Sequence, residues 1–158
     1  MTVEIEPRGQ VSEEALADIE RQLGHPLPAD YRRWLAANNG GFIPDGAGLP
    51  SRPLYLVALT RAVDDDGSSS LVFETQSSEY LTSDFLRINK VDNSLLALKL
   101  AEPDRGSVWL LRNSAMGIEY DYEDEGFDSN EEYICAQKLE RVADSFDDLL
   151  SQLISQED

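Results

Sequence analysis

The sequence predicts a single-domain α+β protein, in which helices pack on one side of a mainly antiparallel central sheet of about five to six strands. Apolar residues recur at helical spacing near the N-terminus and again after residue 145. Between these segments, short apolar runs alternate with Gly, Pro, Asp, Asn and Ser, which is typical of strands joined by turns. The 158 residues are about the size of one domain, and no linker divides residues 1–158.

The first two predicted elements form a helical hairpin. Ser12 can cap the first helix, Leu16 and Ile19 lie on its apolar face, and Gly24 can close it in the left-handed conformation. Pro28 suits the first turn of the second helix. That helix places Tyr31, Trp34 and Leu35 on one face, and Gly40 and Gly41 end it after about three turns.

The middle of the chain predicts strands. Five apolar runs carry this prediction: residues 54–59, 85–88, 95–100, 108–112 and 133–139. The segment 70–81 is ambiguous, because Leu71-Val72-Phe73 favours a strand whereas a serine-capped helix also fits. We favour a strand there.

A C-terminal helix follows Ser145, which stands in a capping-box relation to Asp148. Its apolar positions recur at i, i+3, i+4, i+7 and i+8. They are Phe146, Leu149, Leu150, Leu153 and Ile154. We expect this helix and the N-terminal hairpin to cover the same side of the sheet.

Charge is the other strong signal of the sequence. The chain has 13 basic and 31 acidic residues, for a net charge of −18. Such a surface repels nucleic acids and anionic membranes and attracts basic partners, although a high charge also simply keeps a protein soluble and monomeric. The N-terminus has no signal-peptide pattern and no run approaches the ~18 apolar residues of a membrane span, so we expect a cytoplasmic monomer.

Few residues suggest catalysis or metal binding. Cys135 is the only cysteine and is expected to be a reduced, half-buried strand residue, and His25 is the only histidine and lies in the turn of the hairpin. Asp64-Asp65-Asp66-Gly67 is typical of a loop that could at most hold a cation weakly, and Gly46-Ala47-Gly48 lacks the helix and lysine of a phosphate loop. We therefore expect neither an enzyme nor a cofactor.

The most unusual segment is residues 121–132, where seven of twelve residues are carboxylates. Asp121, Gly126 and Glu132 occupy positions 1, 6 and 12 of a calcium-binding loop, but Glu123 and Glu125 are too long for positions 3 and 5. A solvated loop is a second interpretation. A third, which we favour, is a protein-docking surface, because Tyr120, Tyr122, Phe127 and Tyr133 are interleaved with the acids.

Two segments together resemble a known family. The N-terminal one runs from Leu23-Gly24 through Leu27-Pro28 and Tyr31 to Asn39-Gly40-Gly41, and the C-terminal one is Ala143-Asp144-Ser145-Phe146 with a leucine-rich helix behind it. This arrangement resembles the SUKH superfamily, whose best-known branch is named after fungal cell-wall-assembly regulators. The short strands between the two segments resemble that family more loosely.

The resemblance implies a non-enzymatic binding protein. Many bacterial members are similar to immunity proteins that block the C-terminal domain of a cognate polymorphic or contact-dependent toxin, often a nuclease or deaminase. On that basis the basic active site of the toxin would face an acidic surface, with Tyr122 or Phe127 as buried anchors. The candidate carboxylates are Glu119, Asp121, Glu123, Asp124, Glu125 and Asp128. The alternative is an intracellular scaffold or regulatory module of the cell-wall-regulator type.

Overall fold

The computed structural model describes residues 3–50, 54–77, 80–89, 94–116 and 118–155. It confirms an α+β fold with antiparallel sheets. The strands are β1 (Glu6–Pro7), β2 (Gly41–Gly48), β3 (Leu56–Leu59), β4 (Phe85–Arg87), β5 (Leu95–Lys99), β6 (Val108–Leu111), β7 (Glu140–Ala143) and β8 (Ile154–Ser155). The helices are α1 (Glu13–Leu23), α2 (Ala29–Asn38), α3 (Ser70–Gln76), α4 (Asn130–Gln137) and α5 (Phe146–Gln152).

The strands form two four-stranded sheets. Sheet A has the order β1-β2-β3, with β8 also paired to β2, and sheet B has the order β4-β5-β6-β7. An antiparallel bridge between Leu59 and Asn89 joins the two sheets. The expected single central sheet is therefore a pair of linked sheets.

The predicted hairpin is present, with the expected caps. Ser12 Oγ accepts a hydrogen bond from Ala15 N–H at the start of α1, and Gly24 ends it with a φ of 79°. Asn39, with a φ of 50°, is the left-handed residue that ends α2, and Gly40 follows it with a φ of 85°. Helix α2 is thus ended by Asn39, one residue before the predicted Gly40-Gly41.

The main core lies between the sheets and helices α1, α2, α3 and α5. In sheet B, Leu96, Leu98 and Leu110 face this core, whereas the alternate residues Leu95 and Leu111 face a second, smaller core. Alternation along a strand sends neighbouring side chains to opposite faces, so sheet B is buried on both sides. The hairpin and the C-terminal helix lie on one side, as expected.

The prediction of a strand at residues 133–139 was wrong, because most of that segment is α4. Ser129 Oγ accepts a hydrogen bond from Glu132 N–H and caps α4, and Ile134 packs in the second core. The apolar run Tyr133-Ile134-Cys135 has strand propensity, but the helix cap at Ser129 and the packing of Ile134 outweigh that propensity. As a result α4 covers the face of sheet B opposite the hairpin, and the strand of this region is β7, directly after α4.

The strand that we favoured at 70–81 was also wrong. Residues Ser70–Gln76 form α3, capped by the Ser69 hydroxyl, which accepts from Val72 N–H. Ser78 and Glu79, in the same predicted segment, lie outside the described residues. The C-terminal helix ends at Gln152, and Ile154 belongs to β8 instead of the helical stripe.

Candidate partner-binding surface

The acidic segment forms a compact loop against the second core. Its turn is closed by backbone hydrogen bonds from Gly126 N–H to Glu123 O (3.1 Å) and from Phe127 N–H to Tyr122 O (2.9 Å). Gly126 has a φ of 86°, which a residue with a side chain rarely adopts. We call residues 119–128 the acidic loop. Its carboxylates are thus carried on a defined backbone.

Asn130 holds the start of the acidic loop. Its Oδ1 accepts from Tyr120 N–H (2.9 Å), and its Nδ2 donates to Ile118 O (3.2 Å). At the other end of the loop, Asp128 N–H donates to Glu132 Oε2 (3.0 Å). Both ends are therefore attached to the first turn of α4. This role of Asn130 was not predicted, because residues 133–139 were expected to form a strand and no helix start was expected near residue 130.

Three aromatic rings connect the loop to α4 by direct contact. We call Tyr120, Phe127 and Tyr133 the aromatic cluster. The Tyr120 and Tyr133 rings stack with centroids 5.0 Å apart, and Phe127 meets Tyr133 edge-on at 5.5 Å. Lys138 Nζ lies 5.1 Å from the centroid of the Tyr120 ring. Contacts of this kind contribute about 0.5–1.5 kcal/mol each beyond buried area.

The two predicted anchors, Phe127 and Tyr122, have different surroundings in the structure. Phe127 packs on Tyr133 within the protein, so its ring is already used by the fold. Tyr122 instead lines an open depression of about 350 Å³, together with Glu119, Tyr120, Asp121, Glu123 and Asp124. Glu125 and Asp128 are exposed on the same loop but are not among the residues that line the depression. Both candidate anchors are half-buried, and of the two it is Tyr122 that borders this open depression.

The carboxylates of the loop have no basic neighbours along the chain, and the nearby Lys138 lies over the Tyr120 ring. No Lys or Arg occurs between residues 113 and 137, which include Glu119 and every acid of the segment 121–132. Elsewhere, acids are paired with arginines, as in Glu13 and Glu20 with Arg32, or Glu140 with Arg112. Among the described residues, none of the carboxylates between 119 and 132 forms an ion pair. The loop is therefore a concentrated and unneutralised negative surface.

The geometry does not support a calcium loop. The Glu132 side chain, which would be the twelfth-position ligand, caps α4 by accepting from Asp128 N–H. In the described part of the chain, a short 3-10 turn (Asn113–Ala115) and no α-helix lies between β6 and the loop, and no three or more His, Cys, Asp or Glu side chains are grouped to hold a metal ion. The acids spread into solvent instead of converging on a point.

The other residues singled out from the sequence lie apart from the loop's surface. Cys135 is a free, partly buried thiol on α4 instead of a strand, and burial raises its pKa. A thiol with a raised pKa is a poor nucleophile. His25 lies in the hairpin turn, with its Nε2 3.9 Å from Asp84 Oδ1. Asp64 and Asp66 accept hydrogen bonds from Ser68 and Ser70 in the turn that leads into α3.

The helical hairpin, the antiparallel sheets and the capped C-terminal helix define a SUKH-like α+β domain. The model of the SMI1 / KNR4 family (SUKH-1) matches residues 10–152, which is most of the chain. The protein therefore belongs to the SMI1 / KNR4 family, and the predicted superfamily is confirmed. No match to a curated protein was found. In the described part of the chain, no helix is long and apolar enough to span a membrane.

Proposed function

We propose that this protein is an immunity protein, which binds the C-terminal domain of a cognate toxin and neutralises it without chemistry of its own. The family match supports a protein-binding role in general. The observation that carries the finer proposal is the acidic loop, whose carboxylates have no ion-pair partner among the described residues. A toxin that acts on nucleic acid presents a basic cleft to its polyanionic substrate, and the acidic loop is complementary to such a cleft.

The inhibition that we propose is occlusion of the toxin's active site. The carboxylates of the loop repel one another in the free protein, and basic side chains of the toxin relieve that repulsion on binding. Tyr122 sits among them and supplies apolar contact area with a hydroxyl at its edge. Because the turn and the aromatic cluster already order the loop, binding costs little conformational entropy.

The test starts from the genes next to this one, where an immunity gene is expected to have a toxin-like neighbour; if no such neighbour exists, the scaffold or regulatory role becomes the better explanation. The C-terminal domain of the toxin-like neighbour is co-expressed with the full chain, and the lysate is separated by size-exclusion chromatography while cell survival is scored. We expect co-elution and survival of cells that the toxin alone kills. If no complex forms at low salt, immunity is refuted, and the scaffold or regulatory role becomes the better explanation.

A matched pair of variants tests the surface. Glu123→Gln, Asp124→Asn and Glu125→Gln together remove three charges from the loop, whereas Glu4→Gln, Glu6→Gln and Asp45→Asn remove three exposed charges elsewhere. Both triple variants have the same net charge. We expect the loop variant to weaken toxin binding by about 100-fold at low salt and the control by less than about threefold. Equal losses in both variants would show that only net charge matters.

Tyr122→Ala tests the anchor separately from charge. We expect a loss of about tenfold or more in toxin affinity, with a smaller change in the free energy of unfolding than Phe127→Ala causes, because Tyr122 lines an open depression. Phe127→Ala is the informative contrast. It should destabilise the domain, since its ring packs edge-on against Tyr133. Unchanged affinity in Tyr122→Ala would remove Tyr122 from the interface.

A further inference from the structure

A groove lies between α1 and α3, on the side of the molecule away from the acidic loop. It encloses about 400 Å³. Its floor includes Ile19 of α1 and Val72 of α3, both buried in the main core, and Ala62 from the segment before α3. Because these side chains belong to a packed core, the floor is preformed. We call this feature the α1–α3 groove.

Phe73 stands at the α1–α3 groove and is not used by the fold. The residue is 69 % exposed, whereas the other exposed large hydrophobic residues in the described part of the chain lie between 40 and 46 %. Its neighbours Leu71 and Val72 are buried, so α3 is attached without it. Covering a phenylalanine ring removes a large apolar area from water, which is favourable. The position of this ring beside an apolar floor therefore marks a contact site for another apolar group.

The groove is closed at one end by a hydrogen bond between its two helices. Gln76 Nε2, at the end of α3, donates to Gln22 O near the end of α1, at 3.1 Å. Toward the start of α3, the lining passes to Gly67, Ser68 and Ser69 of the preceding loop. A chain segment would therefore approach from that loop.

That loop is negatively charged. Asp65 is 95 % exposed at its side chain, with Arg61 at 3.3 Å. Hydrogen bonds from the Ser68 hydroxyl and backbone N–H lower the pKa of Asp66, so its carboxylate stays ionised. Across the groove, Asp18 of α1 pairs with Arg21. The rim has a net negative charge, because it carries four acids and two arginines. The acids are Asp18, Asp64, Asp65 and Asp66, and the arginines are Arg21 and Arg61.

We propose that the α1–α3 groove docks a short segment of a partner protein that presents one large apolar side chain flanked by Lys or Arg. The apolar side chain would pack between Phe73 and the floor, and the basic residues would face Asp64, Asp65 and Asp66. Charge complementarity selects this occupant. A second copy of the chain would bring another net charge of −18 toward an acidic rim and be repelled.

This second surface does not depend on the function proposed for the acidic loop. Sheet B lies between the two features, because the groove rests on the main core and the loop on the second core. A variant at one surface should leave binding at the other unchanged. The two proposals can therefore fail separately.

The test is a selection of random peptides of roughly 12 residues on the full chain, followed by fluorescence anisotropy with synthetic versions of the enriched peptides. We expect enriched sequences to combine a large apolar residue with Lys or Arg. Phe73→Ser should weaken their binding by about tenfold or more, and raising the salt concentration should weaken it further. The matched control is Phe42→Ser, since Phe42 is a 40 % exposed ring on β2.

Several results would overturn this assignment. They are a selection that enriches no such peptides, enrichment of acidic peptides, and equal affinity for Phe73→Ser and the wild type. An equal loss in both serine variants would also refute it, because that result indicates general stickiness of exposed rings. If sedimentation shows a wild-type dimer that Phe73→Ser abolishes, the occupant is a second copy of the chain and the assignment to a basic partner segment is wrong.

Discussion

At the residue scale, the structure gives the family's glycine pair a specific role. A Cβ on Gly40 would lie 2.7 Å from Leu59 O and 2.9 Å from Thr60 O, both backbone atoms. A Cβ on Gly41 would overlap Ile5 Cγ2 and lie 3.7 Å from the Trp34 ring. These glycines let the chain pass from α2 directly into β2 beside β3. Their role in this structure is in the scaffold.

Gly40→Ala should lower the free energy of unfolding by about 3 kcal/mol or more, because it combines a φ of 85° with a backbone clash. Gly24→Ala is the matched control. Gly24 has a φ of 79° but no atom within 4 Å of its would-be Cβ, so we expect a loss of about 1 kcal/mol. Urea unfolding with an unchanged m-value measures both. Equal losses in the two variants would mean that the positive φ alone, without the close contact to the backbone, explains why position 40 needs glycine.

Tyr31 is buried at the centre of the main core, against Phe146 at 4.9 Å. Its hydroxyl has no hydrogen-bond partner among the described residues, and burial raises its pKa well above that of a free phenol. Below pH 10 the hydroxyl is neutral in both the folded and unfolded states. Above pH 10 only the unfolded chain ionises at this position, so stability falls as the pH rises.

Tyr31→Phe should therefore be nearly neutral or stabilising at pH 7, because it removes an unsatisfied buried hydroxyl. Above pH 10 the wild type should lose stability relative to the variant by about 1.4 kcal/mol per pH unit. Denaturant unfolding of the two proteins from pH 7 to pH 11 gives this difference directly. A difference that stays constant over that range would show that the hydroxyl ionises in the folded protein too.

At the scale of elements, helix α4 links stability to the proposed binding surface. Its residues Asn130, Glu132 and Tyr133 contact the acidic loop, and Ser129 caps the turn that carries them. The helix itself is short, so its stability comes from the cap and from Ile134 in the second core. Disturbing its N-terminus should therefore loosen the loop before it unfolds the domain.

Ser129→Ala removes the acceptor for Glu132 N–H, which is 3.1 Å from Ser129 Oγ. We expect a loss of about 1 kcal/mol in the free energy of unfolding. Amide hydrogen exchange should become faster in α4 and the acidic loop and stay unchanged in α1 and α2. Ser114→Ala, at an exposed position, is the control and should change neither quantity. Faster exchange throughout the chain would contradict this local effect.

At the scale of the whole molecule, charge works against folding. A net charge of −18 on 158 residues produces self-repulsion in the compact state, and the acidic loop concentrates part of it. Salt shortens the Debye length from about 30 Å at 0.01 M to about 8 Å at physiological strength. Screening should therefore stabilise the free protein and weaken its complex with a basic partner.

We expect the Tm to rise by roughly a few °C when the NaCl concentration is raised from about 0.01 M to 0.15 M. The triple variant Glu123→Gln, Asp124→Asn and Glu125→Gln should have a higher Tm at low salt and a smaller rise with salt. Differential scanning calorimetry of both proteins in the same buffers is the measurement. A Tm that is flat or falls with salt would show that the ion pairs of the fold outweigh the repulsion.

The local features of this protein could be read from its sequence, because short-range chemistry determines them. The caps at Ser12 and Ser145, the left-handed Gly24 and the acidic composition of 121–132 each depend on residues close together in the chain. The hairpin and the C-terminal helix were predicted for that reason. The family signature is built from the same local features.

Only the tertiary structure decided the features that depend on distant residues. Segments 70–81 and 133–139 have strand composition, yet caps together with packing against the two cores make most of each helical. Strands β1 and β8 are two residues long and exist only because β2 pairs with them across the fold. The same packing turns Phe127 onto Tyr133 and places the half-buried Tyr122 at the open depression, since side-chain direction is set by neighbours remote in sequence.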